Sequence, residues 1–468
     1  MIFASFEFLF LFLPIFFVVY YLVPPRLRNW PILLLSWAFY AWWRVDFLAL
    51  LVCVTAVTYA VSRLMVAAGL GSRAGRRLLL LGLVANLGVL AYFKYANFGI
   101  GSFNAILGQA GYTGVRWTNI VLPAGLSFYV LQSISYLMDV WRGTIPVSRS
   151  LINYAAYKAM FSQLIAGPIV RYAQIADELK SRRHTLALFG LGARRFMVGF
   201  CMKVIIADTL SPLVDAIFAL PQPTLADSWL GAIGYTLQLY FDFAGYSAMA
   251  IGLALMIGFH FPENFDFPYL SGSIQAFWNR WHITLSSFLR DYLYIPLGGN
   301  RQGTGRTYVN LMLTMAIGGL WHGANWTFVA WGGWQGGMLA MHRLYRPKGS
   351  SGMPWILGHP LTLLGVVLGW VVFRADTFTE ALRIYTGMLG LHGVGVSDDL
   401  AWQATPDRVW MAAIGVAVVY VPLVSRPIAA ATGRAGAALS LVGPFCGFLL
   451  AVVLLYSRAA VPFLYFQF

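Results

Sequence analysis

Runs of about twenty residues with almost no charge recur from one end of the chain to the other, and no other feature limits the possible folds as strongly. Trp229–Phe259 carries one charge, Asp242; Leu78–Phe98 carries one, Lys94; Trp355–Phe373 carries none. A helix rises about 1.5 Å per residue, so about 20 such residues span hydrocarbon about 30 Å thick. Inside lipid every backbone N–H and C=O must be satisfied within the protein, which leaves helices or a closed barrel. Barrel strands alternate polar and apolar residues, whereas these runs are continuous. The chain is therefore expected to be an all-α integral membrane protein. Its composition agrees: 59% hydrophobic and 10% charged, against about 25% charged in a soluble domain. So little charge cannot clothe a water-facing surface.

Apolar periodicity predicts helices at Phe6–Val23, Trp30–Trp43, Phe47–Val66, Leu78–Phe98, Ile120–Val140, Ile152–Ile169, Leu186–Phe218 and Trp229–Phe259. Others are predicted at Leu311–Leu344, Trp355–Phe373, Val409–Val424 and Ala438–Tyr456. With no repeat or composition shift, residues 1–468 read as one domain. The run Leu311–Leu344 is too long for one span, about 51 Å as a straight helix, and holds the pairs Gly318-Gly319, Gly332-Gly333 and Gly336-Gly337. It should be two pieces lining a cavity, since broken backbone at membrane depth needs protein or water beside it. Gly167-Pro168 is expected to break Ile152–Ile169 in the same way.

The net charge of +15 would suggest nucleic acid in a soluble protein. Here the basic residues crowd short loops: Arg73, Arg76 and Arg77; Lys180, Arg182 and Arg183; Arg280, Arg290, Arg301 and Arg306. That is the pattern of cytoplasmic loops, with no nucleic-acid partner implied and the N-terminus outside. Met1–Phe10 has no basic leader region, so the first apolar run reads as a retained helix. Cys53, Cys201 and Cys446 show neither metal nor disulfide spacing and read as small core residues.

Against this background an ionisable residue inside an apolar run stands out, because it is costly and usually functional. His322, in Gly319-Leu320-Trp321-His322-Gly323-Ala324-Asn325, is the clearest case. A neutral imidazole facing a cavity can take a proton from an alcohol; the competing reading is a histidine bonded to a neighbouring helix as polar glue. His282 lies in Phe277–Leu285 and, read as a helix, shares a face with Trp278, Leu285 and Leu289; a purely structural role is the alternative. Asp242 must find a partner or stay protonated, either orienting a histidine or bonding a helix end. Arg280, Arg290 and Arg301, with the glycines at 298 and 299, can hold phosphates of a cytoplasmic donor or simply mark the inner face. No phosphate-binding glycine loop or serine elbow occurs.

Taken together, YAWWRVDFL at Tyr40–Leu48, LIAGPIVRY at Leu164–Tyr172, YFDFAGYSAMAIG at Tyr240–Gly252 and ENFDFPYLSGSI at Glu263–Ile274 have a familiar order. With FWNRWHITLSSFLRDYLYIPLGGNR at Phe277–Arg301, GGLWHGANWTF at Gly318–Phe328 and GWVVFRA at Gly369–Ala375, the sequence resembles the membrane-bound O-acyltransferase (MBOAT) family over most of its length. The resemblance implies about 10–12 transmembrane or re-entrant helices around a central channel. It makes His322 the catalytic residue and His282 the second signature site. The residues themselves put Asp242, Asn325 and Trp321 in support and Arg280, Arg290 and Arg301 beside the donor. The resemblance points to the branch that O-acetylates an exopolysaccharide such as alginate. That branch works in the bacterial inner membrane, from a cytoplasmic donor, acetyl-CoA, through a periplasmic partner, with no bound cofactor or metal. Gln163 and Ala248 depart from the branch, where histidine and aspartate are common. On this expectation His322 removes the hydroxyl proton while His282, Asn325 or backbone amides steady the oxyanion. A carrier-protein donor of the D-alanylation type, a lipid acceptor, and a transporter without histidine chemistry are the alternatives.

Overall fold

The computed structural model describes residues 1–345, 353–458 and 462–464, for 424–441 the backbone alone. The described residues fold as helices and connecting turns: α1 Glu7–Leu22, α2 Asn29–Ala41, α3 Val45–Ala67, α4 Arg73–Gln109, α5 Leu126–Trp141, α6 Leu151–Ala159, α7 Leu186–Ala219 and α8 Leu225–Met256. Then come α9 Ile274–Trp278, α10 Ile283–Leu289, α11 Thr304–His322, α12 Trp326–Tyr345, α13 Trp355–Arg374, α14 Phe378–Met388 and α15 Pro406–Ser457. Among them, six stretches are long and apolar enough to cross a bilayer: α3, α4, α7, α8, α13 and Pro406–Leu423 of α15. Large apolar side chains such as Leu81, Val84 and Leu87 on α4 are exposed, which is stable only with lipid as solvent. Cys53 and Cys446 are exposed as well and Cys201 partly so, rather than in the core. A small apolar side chain costs nothing at a lipid-facing position.

The chain divides into two compact units, Met1–Gly192 with Leu253–Pro262, and Ala193–Gly252 with Glu263–Phe468. The first has an aromatic centre. Phe8, Phe12, Phe16 and Tyr20 recur every four residues of α1 and so share one face. That face meets Phe39 of α2 and Phe161, with ring centroids 5.9 Å apart for Phe8–Phe39 and 4.7 Å for Phe16–Phe161. Such pairs add about 0.5–1.5 kcal/mol beyond area burial. The run at Ile152–Ile169 does break, but at Met160 (φ −50°, ψ 113°), ahead of Gly167-Pro168, leaving α6 and a single turn at Phe161–Leu164. The stretch between the predicted helices Leu78–Phe98 and Ile120–Val140 is helical as far as Gln109. At one edge of this unit Arg28 Nη1 donates to His184 Nδ1 at 3.0 Å, and His184 Nε2 lies 2.8 Å from Tyr20 Oη. Arg28 can only donate, so the His184 proton sits on Nε2.

In the second unit α8 is buried along almost its whole length. It approaches α7 at Gly199 and Gly245, where a β-carbon on Gly245 would lie 2.7 Å from the Gly199 carbonyl oxygen. A π turn over Met202–Ala207 follows in α7 and carries Lys203 into the interior. Aromatic residues from several elements fill the centre, among them Tyr269, Phe277, Trp281, Trp331 and Trp370. The segments Val409–Val424 and Ala438–Tyr456, expected as two helices, fall on the two ends of α15.

Candidate active site

All the site residues that follow lie in the second unit. The long run 311–344 is split, as its length demands, into α11 and α12, with Gly323 in extended backbone (φ −155°, ψ 147°) between them. The two helices pack backbone to backbone. A β-carbon on Gly332 would strike the Met315 carbonyl oxygen and lie 2.9 Å from Ala316 Cα; one on Gly319 would lie 3.1 Å from Gly332 Cα. Only glycine permits that approach. His322 is the last residue of α11 and keeps 3% of its surface accessible. Its ring is packed edge-to-face by Trp321, Trp331 and Phe373, at centroid distances of 5.0, 5.2 and 5.5 Å. A thioester or hydroxyl therefore reaches it only when some of these side chains move aside.

His282 is not on a continuous amphipathic helix. The chain leaves α9 at Trp278, and His282 sits in the left-handed region (φ 43°, ψ 55°) before α10 begins. A segment 18 residues upstream breaks the helix: the Asn264 backbone carbonyl accepts the Ile283 N–H at 2.9 Å, and the Asn264 side-chain oxygen accepts from Thr284 Oγ1 at 2.8 Å and Thr284 N at 3.3 Å. The same oxygen lies 3.0 Å from His282 Nδ1. His282 is fully buried, against Phe243 at 4.7 Å and Trp321 at 6.1 Å, and its ring centroid is 6.4 Å from that of His322. Burial lowers its pKa to about 3, so the imidazole is neutral.

The two histidines are thus brought together with Trp321 packed against both. The remaining predicted residues are used elsewhere. Asp242 pairs with Lys203, Oδ1 to Nζ 2.7 Å, and its Oδ2 accepts the Leu464 N–H at 2.9 Å; Lys203 also meets Asp208 at 2.6 Å. Asp242 thereby fastens the chain end, and Phe463 stacks on Tyr246 at 4.7 Å and lies 5.6 Å from Phe243, the ring beneath His282. Asn325 donates to the Asp376 backbone carbonyl at 2.7 Å, which ties down the turn after His322. Arg290 is exposed and paired with Asp291 at 2.7 Å, Arg280 lies 4.0 Å from Asp266, and Arg301 is exposed. Gln163 is buried in the first unit and donates to the Tyr157 carbonyl at 2.6 Å. Sequence reasoning missed Asn264, Trp331, Phe373 and Lys203. The first and third lie in the segments ENFDFPYLSGSI and GWVVFRA, so a signal was present without a role attached.

Two buried imidazoles walled by aromatic rings are suited to moving a proton where water is scarce. Comparison with known proteins gives this arrangement its context. Residues 145–348 match the profile of MBOAT, the membrane-bound O-acyltransferase family. The probable alginate O-acetylase AlgI of Azotobacter vinelandii is 47% identical over 503 residues, covering 100% of each chain. The protein of the same name from Pseudomonas putida is 53% identical over 392 residues, covering 83% of this chain and 80% of its own. The peptidoglycan O-acetyltransferase of Helicobacter pylori is 37% identical over 428 residues, covering 83% and 80%. The site, the helical membrane fold and these likenesses agree: the chain belongs to the membrane-bound O-acyltransferase family and is a multi-pass membrane O-acyltransferase.

Proposed function

We propose that the protein is an O-acetyltransferase of the bacterial inner membrane. It takes acetyl from acetyl-CoA on the cytoplasmic side and serves the O-acetylation of an exopolysaccharide such as alginate, through a periplasmic partner. The observation that carries the chemistry is the pair of buried imidazoles, 6.4 Å apart between ring centroids, at the end of α11 and the start of α10. The acceptor hydroxyl attacks the thioester carbonyl carbon as His322 takes its proton. The tetrahedral intermediate collapses, the C–S bond breaks, and the leaving thiolate takes the proton back, giving an ester and a free thiol. Trp321, Trp331 and Phe373 keep water from the thioester. Arg280, Arg290 and Arg301 meet the phosphates of the donor, Arg290 by exchanging Asp291 for phosphate. Asp242 acts in support, through the chain end it holds, and Asn325 through the turn it ties.

Replacing His322 with alanine or glutamine should lower acetyl transfer by about 10²–10⁴-fold, the usual contribution of a general base. Membrane insertion should be unchanged. Acetylation at the unmodified protein's rate would remove His322 from the chemistry. The Helicobacter relative favours a second reading with the same chemistry and a peptidoglycan acceptor. Mass analysis of the acetylated polymer from cells with and without the protein separates the two.

A further inference from the structure

We infer that Asn264 is a positioning residue that keeps the ring proton of His282 on Nδ1 and so commits Nε2 of that imidazole to accepting a proton. The inference rests on the reading above that His282 belongs to the acyl-transfer site. The orientation of the Asn264 amide follows from its neighbours. The backbone N–H of Thr284 can only donate, so the amide atom facing it must be the oxygen. The amide nitrogen then donates to Ser247 Oγ at 3.1 Å. An oxygen that only accepts, 3.0 Å from His282 Nδ1, requires the hydrogen on Nδ1. A neutral imidazole carries one ring hydrogen, so Nε2 holds the lone pair. His282 is therefore built to receive a proton and not to donate to an oxyanion, which reverses the role the sequence suggested for it.

The surroundings preserve that state. Asn264, Ser247, Thr284 and His282 are all buried. Rings packed against His282 include Phe243, Phe265, Trp321 and His322, and His322 is the ionisable one of these four. Asp242, next to Phe243 on α8, is held by Lys203, which Asp208 also engages. Through its carbonyl bond to Ile283, Asn264 also fixes the left-handed backbone at residue 282. One side chain and its own backbone thus set both the tautomer and the direction of the ring.

The test measures kcat and KM against pH for acetyl transfer from acetyl-CoA by the full-length protein, for the unmodified chain and for N264L, N264D and H282A. N264L should lose kcat by on the order of 10²-fold or more with little change in KM for the donor, because the tautomer is no longer set. N264D keeps the acceptor but adds charge beside Nδ1, which stabilises the imidazolium. Its rate should partly recover, with the acid limb of the kcat/KM profile raised by about one pH unit or more. An N264D profile superimposable on that of the unmodified protein overturns the inference, whether or not N264L accumulates in membranes. Full activity of H282A overturns instead the assignment of His282 to the site.

Discussion

Substituting Gly332 with alanine tests whether the backbone contact between α11 and α12 sets the chemistry at His322. The added β-carbon would strike the Met315 carbonyl oxygen and lie 2.9 Å from Ala316 Cα. Carbon atoms pack best at about 3.5–4.0 Å, so the helices must part by about 1 Å. Both neighbours are backbone atoms and cannot rotate away. Overpacking of this kind costs about 1–3 kcal/mol, which a large helical protein survives. The effect on rate should be larger than the effect on stability. Trp331, beside Gly332, packs on the His322 ring at 5.2 Å, and His322 ends the other helix of the pair. A displacement of about 1 Å at reacting groups can cost about 10²-fold. Gly333 is the internal control: its β-carbon would meet nothing within 4 Å, and Gly→Ala in a helix gains about 0.5–1 kcal/mol. Acetyl-transfer rates in membranes and melting of the purified protein in detergent should show Gly332→Ala slowed about 100-fold and Gly333→Ala as active as the parent. Equal rates for the two variants would refute the claim that this helix contact positions the imidazole.

Two further outcomes are expected beyond the substitutions at His322 and Asn264. Lys203→Met leaves Asp208 and Asp242 buried without their cation, so it should cost about 3–5 kcal/mol, and adding Asp208→Asn and Asp242→Asn should restore much of the melting temperature. His184 titrates at about 4, lowered first by burial and then by Arg28 and Arg182, against 6.5 when unfolded. Between these values the unfolded chain binds the proton that the folded one refuses, so stability should fall as pH drops from about 6.5 to 4 and level off above. Melting curves over pH 4–8 should show this slope reduced in His184→Asn.

Several elements were legible because they follow from local pattern and length. The break in 311–344 is dictated by a run of apolar residues too long for one span and rich in glycine, and it appears at Gly323, between α11 and α12. Among the described residues six helices are long and apolar enough for a bilayer, where composition alone required several. The histidine pair stood out because an ionisable group in an apolar run is rare. Other expectations failed for reasons that distance along the chain conceals. The i−4, i+3 and i+7 pattern around His282 looks like one helix face, yet Asn264 captures the N–H groups of Ile283 and Thr284 and splits it into α9 and α10. Proline at 168 suggested the position of a break, but the helix has already ended at Met160. Buried cysteines were expected by analogy with soluble cores, a rule that lapses where the outside is also apolar.

By itself the sequence determined the solvent and the helical architecture and singled out the two imidazoles proposed for the chemistry, because hydrophobicity and the rarity of charge are properties of each segment taken alone. Tertiary structure decided that Asp242 serves Lys203 and the chain end. It also decided that Asn325 binds a backbone carbonyl and that His282 carries its proton on Nδ1. Each of these depends on which distant atom fills a hydrogen-bonding position, and a directional bond between residues far apart in sequence leaves no trace in either one's local pattern.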